Sequence, residues 1–215
     1  WASGKSMMKD GAPDLTNEDV KAAAEFIKTM YDEGVIAPGA FTLKEQDKVE
    51  EFTNGRVGMT ITSLAHINLI RERNADLAFS IAAIPAIDGY EGERGIPYAS
   101  WGIGIAENSE HKEEAWKLVS FLMSEEVNSK LSTIAHAFPG NTRSVPDYVN
   151  SDPTFAEAFK IYQDGYPANE FVGLPVAEEL MRMFDEQFQL YLEGEITVDE
   201  MLAAAQEAWL PEFSK

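Results

Sequence analysis

Apolar and polar residues alternate along this chain with two different periods. From Asn17 to Glu33, the residues Val20, Ala23, Ala24, Ile27, Met30 and Tyr31 recur at helical spacing on one face. Thr16 and Asp19 make a capping-box pattern ahead of that helix, Leu15 and Val20 are spaced to staple its first turn, and Gly34 suits its C-terminus. A shorter helix is predicted over Lys44 to Thr53, closed by Gly55. The period then drops to two. Val57, Met59 and Ile61 alternate with Arg56, Gly58, Thr60 and Thr62, which predicts a strand. A helix over Leu64 to Arg73 and a second strand over Leu77 to Ile84 follow, the strand stopped by Pro85.

Glycine and proline punctuate the segment from Pro85 to Pro97, which reads as a connection and a candidate crossing between lobes. A third strand is predicted over Ala99 to Ala106. The helix after it, capped by Ser109, turns Ala115, Trp116, Val119, Leu122 and Met123 toward a core. A short helix from Ser124 to Ile134 precedes a connection over Ala137 to Asp147. Helices are predicted again over Pro153 to Gln163, Pro175 to Leu192 and Thr197 to Leu210, with a loop at Tyr166 to Pro175. The last carries a capping box, Thr197 with Glu200, and a staple, Ile196 with Met201. Helices alternating with a few short strands predict an α/β fold.

Charge and composition narrow the chemistry. Seventeen Lys and Arg against 37 Asp and Glu give a net charge of −20, which argues against nucleic-acid binding, since that needs a basic, phosphate-neutralising surface. The absence of cysteine removes disulfides, thiolate metal sites and cysteine nucleophiles. No apolar run approaches the about 20 residues of a membrane-spanning helix. The chain opens on Trp1 without a signal peptide, which is expected either of a processed protein or of a piece of a longer one. The three histidines, His66, His111 and His136, have no metal-ligand spacing, and no cofactor is expected. Gly102 and Gly104 lack the third glycine of a dinucleotide loop, and no nucleophile elbow occurs.

What remains is a set of polar and aromatic residues at element ends: Ser63, Tyr98, Ser100, Trp101, Arg143, Asn169, Glu170 and Phe171. Flat rings beside hydrogen-bonding side chains suit a sugar, whose apolar face stacks while its hydroxyls bond. Trp116 and Trp209, by contrast, read as structural tryptophans on helix faces.

In order along the chain, several segments resemble the extracellular solute-binding proteins of bacterial ABC importers, in their sugar-binding, maltose-binding-protein-like branch. Asp32-Glu33-Gly34-Val35-Ile36 closes the first long helix. Phe52-Thr53-Asn54-Gly55-Arg56-Val57-Gly58-Met59-Thr60-Ile61 is similar to the family's F-x-x-G-K-x-A-M-x-I segment. Ile84-Pro85-Ala86 resembles its crossing, Tyr98 to Ile105 its small-residue strand beside the cleft, and Asn108-Ser109 to Leu122 its S-x-x-K-E-x-A-W helix. Gly194 to Ala203 resembles its closing G-x-x-T-x-x-E-A-L helix.

The resemblance implies a two-lobe, type II periplasmic-binding-protein-like fold, helix-rich and here lacking most of the N-terminal lobe. It would divide the chain into residues 1–85 and 145–215 of the C-terminal lobe and 86–144 of the N-terminal one. It implies a non-catalytic protein, extracellular or periplasmic and tethered by a lipid anchor, that captures a sugar or oligosaccharide between its lobes and passes it to an ABC permease. Trp101 would stack on the ligand and Ser100 bond to it, with Ser63, His66, Arg143 and Phe171 around them. Where the family often has Gly-Pro-Trp, this chain has Ser63-Leu64-Ala65-His66. That departure keeps a polyamine or a phosphorylated polyol open as ligand, and a glycoside-processing enzyme is the remaining alternative. The helix after Ser109 would lack its usual neighbours, so its apolar face is expected to pack on another copy of the chain or to reorganise.

Overall fold

The structure is a computed structural model and describes residues 3–97, 102–168, 170–171 and 174–213. The chain forms two compact units, one of residues 1–41, 85–98 and 166–215 and the other of residues 42–84 and 99–165. These units follow contacts within this chain, whereas the lobe boundaries above refer to a whole two-lobe molecule.

The first unit begins with a hairpin. Strands β1 (Met8–Lys9) and β2 (Ala12–Pro13) pair antiparallel, Met8 opposite Pro13 and Lys9 opposite Ala12. Asp10 and Gly11 between them both take positive φ, 52° and 80°, the conformation a two-residue type I′ turn requires. Helix α1 (Glu18–Asp32) follows. Its cap is Asn17, whose side chain accepts from the backbone N–H of Asp19 and Val20. The cap thus falls one residue after the predicted Thr16, because an Asn oxygen reaches the same orphan donors. Gly34, at φ 69°, ends the helix as expected.

The chain returns to this unit through β3 (Arg94–Pro97), then β4 (Gly165–Ala168), which pair in a second two-stranded sheet where the sequence predicted only connections. The last long helices pack beside α1. For chain-order numbering, the second unit contributes α2 (Glu45–Thr53), α3 (His66–Arg73), α4 (Lys112–Leu122), α5 (Glu125–Ala135), α6 (Tyr148–Ser151) and α7 (Pro153–Gln163). Helices α8 (Ala177–Glu193) and α9 (Val198–Trp209) belong to the first.

Two apolar clusters hold the first unit. Ala24 of α1 meets Phe188, Tyr191 and Leu192 of α8 and Met201 and Leu202 of α9. Leu15, Leu180, Ala205 and Trp209 form the second cluster. Leu15 therefore packs against α8 and α9 rather than stapling Val20, which lies against the other cluster. Trp209 is buried and donates its indole N–H to the Leu180 carbonyl at 2.9 Å, so its one polar atom is satisfied inside the core. Gln206 ties the N-terminal segment to α9: its amide accepts from Leu15 N–H and donates to the Pro13 carbonyl, both at 2.7 Å. The predicted box is present, with Thr197 and Glu200 each capping the other's backbone.

The second unit is centred on Ile67, Tyr148, Phe155 and Phe159, with Leu64, Phe79, Ile81, Phe138 and Tyr162 around them. Tyr148 donates to the Ala137 carbonyl at 2.7 Å, and burial pushes its phenol pKa up to about 12. Asp152 caps α7 and also receives the Arg71 guanidinium at 2.5 and 3.1 Å. The connection after α5 is stitched to it by Asn141 N–H on Asn128 (3.0 Å) and by the buried Ser144 hydroxyl on the Glu125 carbonyl (2.8 Å).

Two expectations are corrected here. The segments predicted as strands, Val57 to Ile61 and Leu77 to Ile84, run without a ladder partner, as do the described residues 102–106 of the third. Alternating residues favour a strand only where another strand accepts its hydrogen bonds, and among the described residues none does. Met59 and Ile61 are consequently exposed. Trp116, expected to face a core, is 62% exposed, and α4 buries none of its residues.

Candidate functional site

The predicted site residues fall in different places. Trp101 and Ser100, together with Tyr98 and Asn169, lie outside the described residues. Ser63 and His66 lie together in the turn that starts α3. The Ser63 carbonyl accepts from His66 N–H at 3.0 Å and its hydroxyl accepts from Ala65 N–H at 3.3 Å, so Ser63 shapes the first turn of the helix while staying exposed. Arg143 lies in the connection after α5 of the same unit. It is exposed, its Nε 3.8 Å from a Glu125 oxygen, and its backbone N–H donates to Asn141 Oδ1 at 2.9 Å. Phe171 belongs to the first unit. There its ring meets Trp209 edge-on, centroids 4.9 Å apart, so part of it is committed to packing.

Around His66 the structure adds two residues that the sequence did not single out as site residues. Thr62 Oγ1 lies 2.6 Å from His66 Nδ1 and donates to Glu45 Oε1 at 2.5 Å. Nδ1 is itself 3.4 Å from the same Glu45 oxygen. The other Glu45 oxygen takes Lys48 Nζ at 2.6 Å. The Lys48 ammonium, and after it the Thr62 hydroxyl, hold the Glu45 carboxyl below the usual range, which keeps it ionised at neutral pH. The His66 side chain is 19% exposed. It therefore presents an edge to solvent from a fixed position. The four-residue interval from Thr62 to His66 was readable in the sequence. The approach of Glu45, from the first position of another helix, was not.

Elsewhere the chemistry is sparse. Among the described residues no group of His, Asp or Glu is placed to hold a metal ion. An open concavity at the start of α8 is lined by Pro175, Val176, Glu178, Glu179 and Arg182, whose guanidinium is paired with Glu179 and Glu186. Among the described residues no helix is long and apolar enough to cross a membrane.

Fold and sequence then place the chain among proteins that bind solutes outside the cell. Residues 1–157 match the family of bacterial extracellular solute-binding proteins, and the chain belongs to that family. A Brucella abortus protein named for binding, with no ligand in its name, is 33% identical over 154 residues, which span 70% of this chain and 37% of that protein. The maltose/maltodextrin-binding domain of Bdellovibrio bacteriovorus, solved with maltotriose, superposes with a TM-score of 0.74 at 22% identity, over 100% of this chain and 56% of its own. A solute-binding protein of Thermotoga lettingae, solved with α-D-tagatose, gives 0.72 at 22%, over 99% and 54%. The fold is thus periplasmic-binding-protein-like and α/β, and the chain spans little more than half of these structures and less than half of its curated relative.

Proposed function

We propose that this chain is part of the substrate-binding component of an ABC transporter and that its solute is a sugar or oligosaccharide. The observation that carries the reading is the family match over residues 1–157. The sugars bound by structural relatives supply the ligand class. In this reading the protein acts without catalysis, outside the cytoplasmic membrane, held there by a lipid anchor. Residues 1–85 and 145–215 belong to one lobe and 86–144 to the other. Ligand enters the cleft between lobes, bonds to both, and favours the closed state because only that state offers it both sets of contacts. The closed form then docks on the membrane permease. Trp101 supplies the stacking face and Ser100 a hydroxyl beside it, with Ser63, His66, Arg143 and Phe171 as further contacts.

The test is intrinsic tryptophan fluorescence of the protein in its two-lobe form, titrated with mono- and oligosaccharides, with Trp101→Ala as control. A saturable change for one sugar class, lost in the control, is the expected result. Silence toward every sugar, with a response to a polyamine or a phosphorylated polyol, would move the ligand to that class. Turnover of a chromogenic glycoside would make the protein an enzyme.

A further inference from the structure

The contacts of Thr62 decide which nitrogen of His66 carries a proton. A hydroxyl has one proton to give and lone pairs to receive with. The Glu45 carboxylate can only accept, and Thr62 Oγ1 is 2.5 Å from it, so the hydroxyl proton is spent there. The 2.6 Å contact between Thr62 Oγ1 and His66 Nδ1 then needs a second proton, and only Nδ1 can provide it. The reverse arrangement, with Thr62 donating to a bare Nδ1, would set hydroxyl lone pairs against a carboxylate oxygen. It would also leave the Nδ1 lone pair 3.4 Å from that same oxygen. Both contacts are repulsive in that case and attractive in the first. In a neutral imidazole, a proton on Nδ1 leaves Nε2 with a lone pair. Among the described residues Nε2 makes no hydrogen bond.

We infer that Glu45 and Thr62 are positioning residues that lock His66 in its Nδ1-protonated tautomer, so that Nε2 is offered as a hydrogen-bond acceptor to a hydroxyl group of the ligand. This rests on the reading of His66 as a ligand contact in a sugar-binding protein. It adds a rule of selection. A sugar hydroxyl can donate to Nε2, whereas a group with only acceptor oxygens meets a lone pair there and gains nothing.

Two measurements test it separately. Long-range proton–nitrogen correlation on the ¹⁵N-labelled chain, at a pH above the imidazole range, reads the tautomer directly, with His66→Gln assigning its signals. Wild type and Thr62→Ser should show a protonated Nδ1 and a bare Nε2, and Thr62→Val should lose that pattern. A proton on Nε2 in the wild type overturns the lock. The second measurement is sugar affinity of the two-lobe protein. His66→Leu, which leaves no acceptor, and Thr62→Val should each weaken it about five- to tenfold, the worth of one hydrogen bond, while Thr62→Ser binds like wild type. A locked tautomer with undiminished binding by His66→Leu removes His66 from the ligand site and overturns the acceptor role, leaving sugar binding itself intact. A locked tautomer in a protein that binds no sugar overturns the functional reading and the acceptor role with it.

Discussion

Asp152 carries two structural duties with one carboxylate. Its Oδ1 accepts from Thr154 N–H at 3.0 Å at the start of α7, and the same group receives Arg71 from α3. Arg71 also donates to the Thr154 hydroxyl at 3.0 Å and lies over the rings of Phe79 and Phe155, so a charged side chain closes one side of the aromatic cluster. Removing the cap by Asp152→Ala should cost about 1–2 kcal/mol. Asp152→Asn keeps a capping oxygen and loses only the charge, so it should cost less. The Arg71 guanidinium holds the Asp152 carboxyl below the ordinary carboxylate value, with the backbone N–H groups of α7 adding to the effect. A pKa depressed by folding stabilises the folded state above the ordinary carboxylate range, and that contribution is lost as pH falls through the folded value. Urea midpoints of wild type and Asp152→Asn should therefore converge in acid. A gap that widens in acid would refute this account of the pair.

The starts of α1, α7 and α9 are written locally, and helix faces are not. Pro153 at the first position of α7 after a capping Asp152, Asn17 before α1, and the reciprocal Thr197–Glu200 pair before α9 each satisfy orphan N–H groups with neighbours in sequence. Thr197→Ala should lower stability by about 1 kcal/mol, read as a shift in the urea midpoint, because the α9 face it starts buries Met201, Leu202, Ala205 and Trp209. An unchanged midpoint would mean that packing alone holds the first turn. The strands behave otherwise. Val57 to Ile61 has the period of a strand and has no ladder partner among the described residues, while Arg94–Pro97 and Gly165–Ala168 pair although little in their pattern marks them.

For the molecule as a whole, the distribution of exposed apolar surface matters most. Trp116, Leu118 and Phe121 of α4 are each about 60% exposed, and Ile134 of α5 and Met59 more so. Exposed apolar residues in this number on one helix are candidates for contact with another copy of the chain. The expected behaviour of the isolated chain is concentration-dependent self-association in sedimentation velocity, reduced by Trp116→Glu with Phe121→Glu. A strictly monomeric chain, unchanged by those substitutions, would contradict it. The acidic surface opposes such association at low ionic strength and less so as salt screens it, so the effect should grow with salt.

Helix positions, the capping box before α9 and family membership were legible in the sequence alone, whereas α1 is capped by Asn17 rather than Thr16 and α4 starts after His111 rather than Ser109. Periodicity and capping depend on residues within a turn or two of one another, and the family's segments keep their order along the chain. Tertiary structure decided the rest, because a ladder partner or a burying neighbour is a distant residue. Trp209 and Trp116 read alike as helix-face tryptophans, yet one is enclosed by α8 and the other meets solvent. His66 was a candidate from its position in the sequence. Its tautomer follows from Glu45, 17 residues before Thr62 and on a separate helix, and no spacing rule predicts that approach.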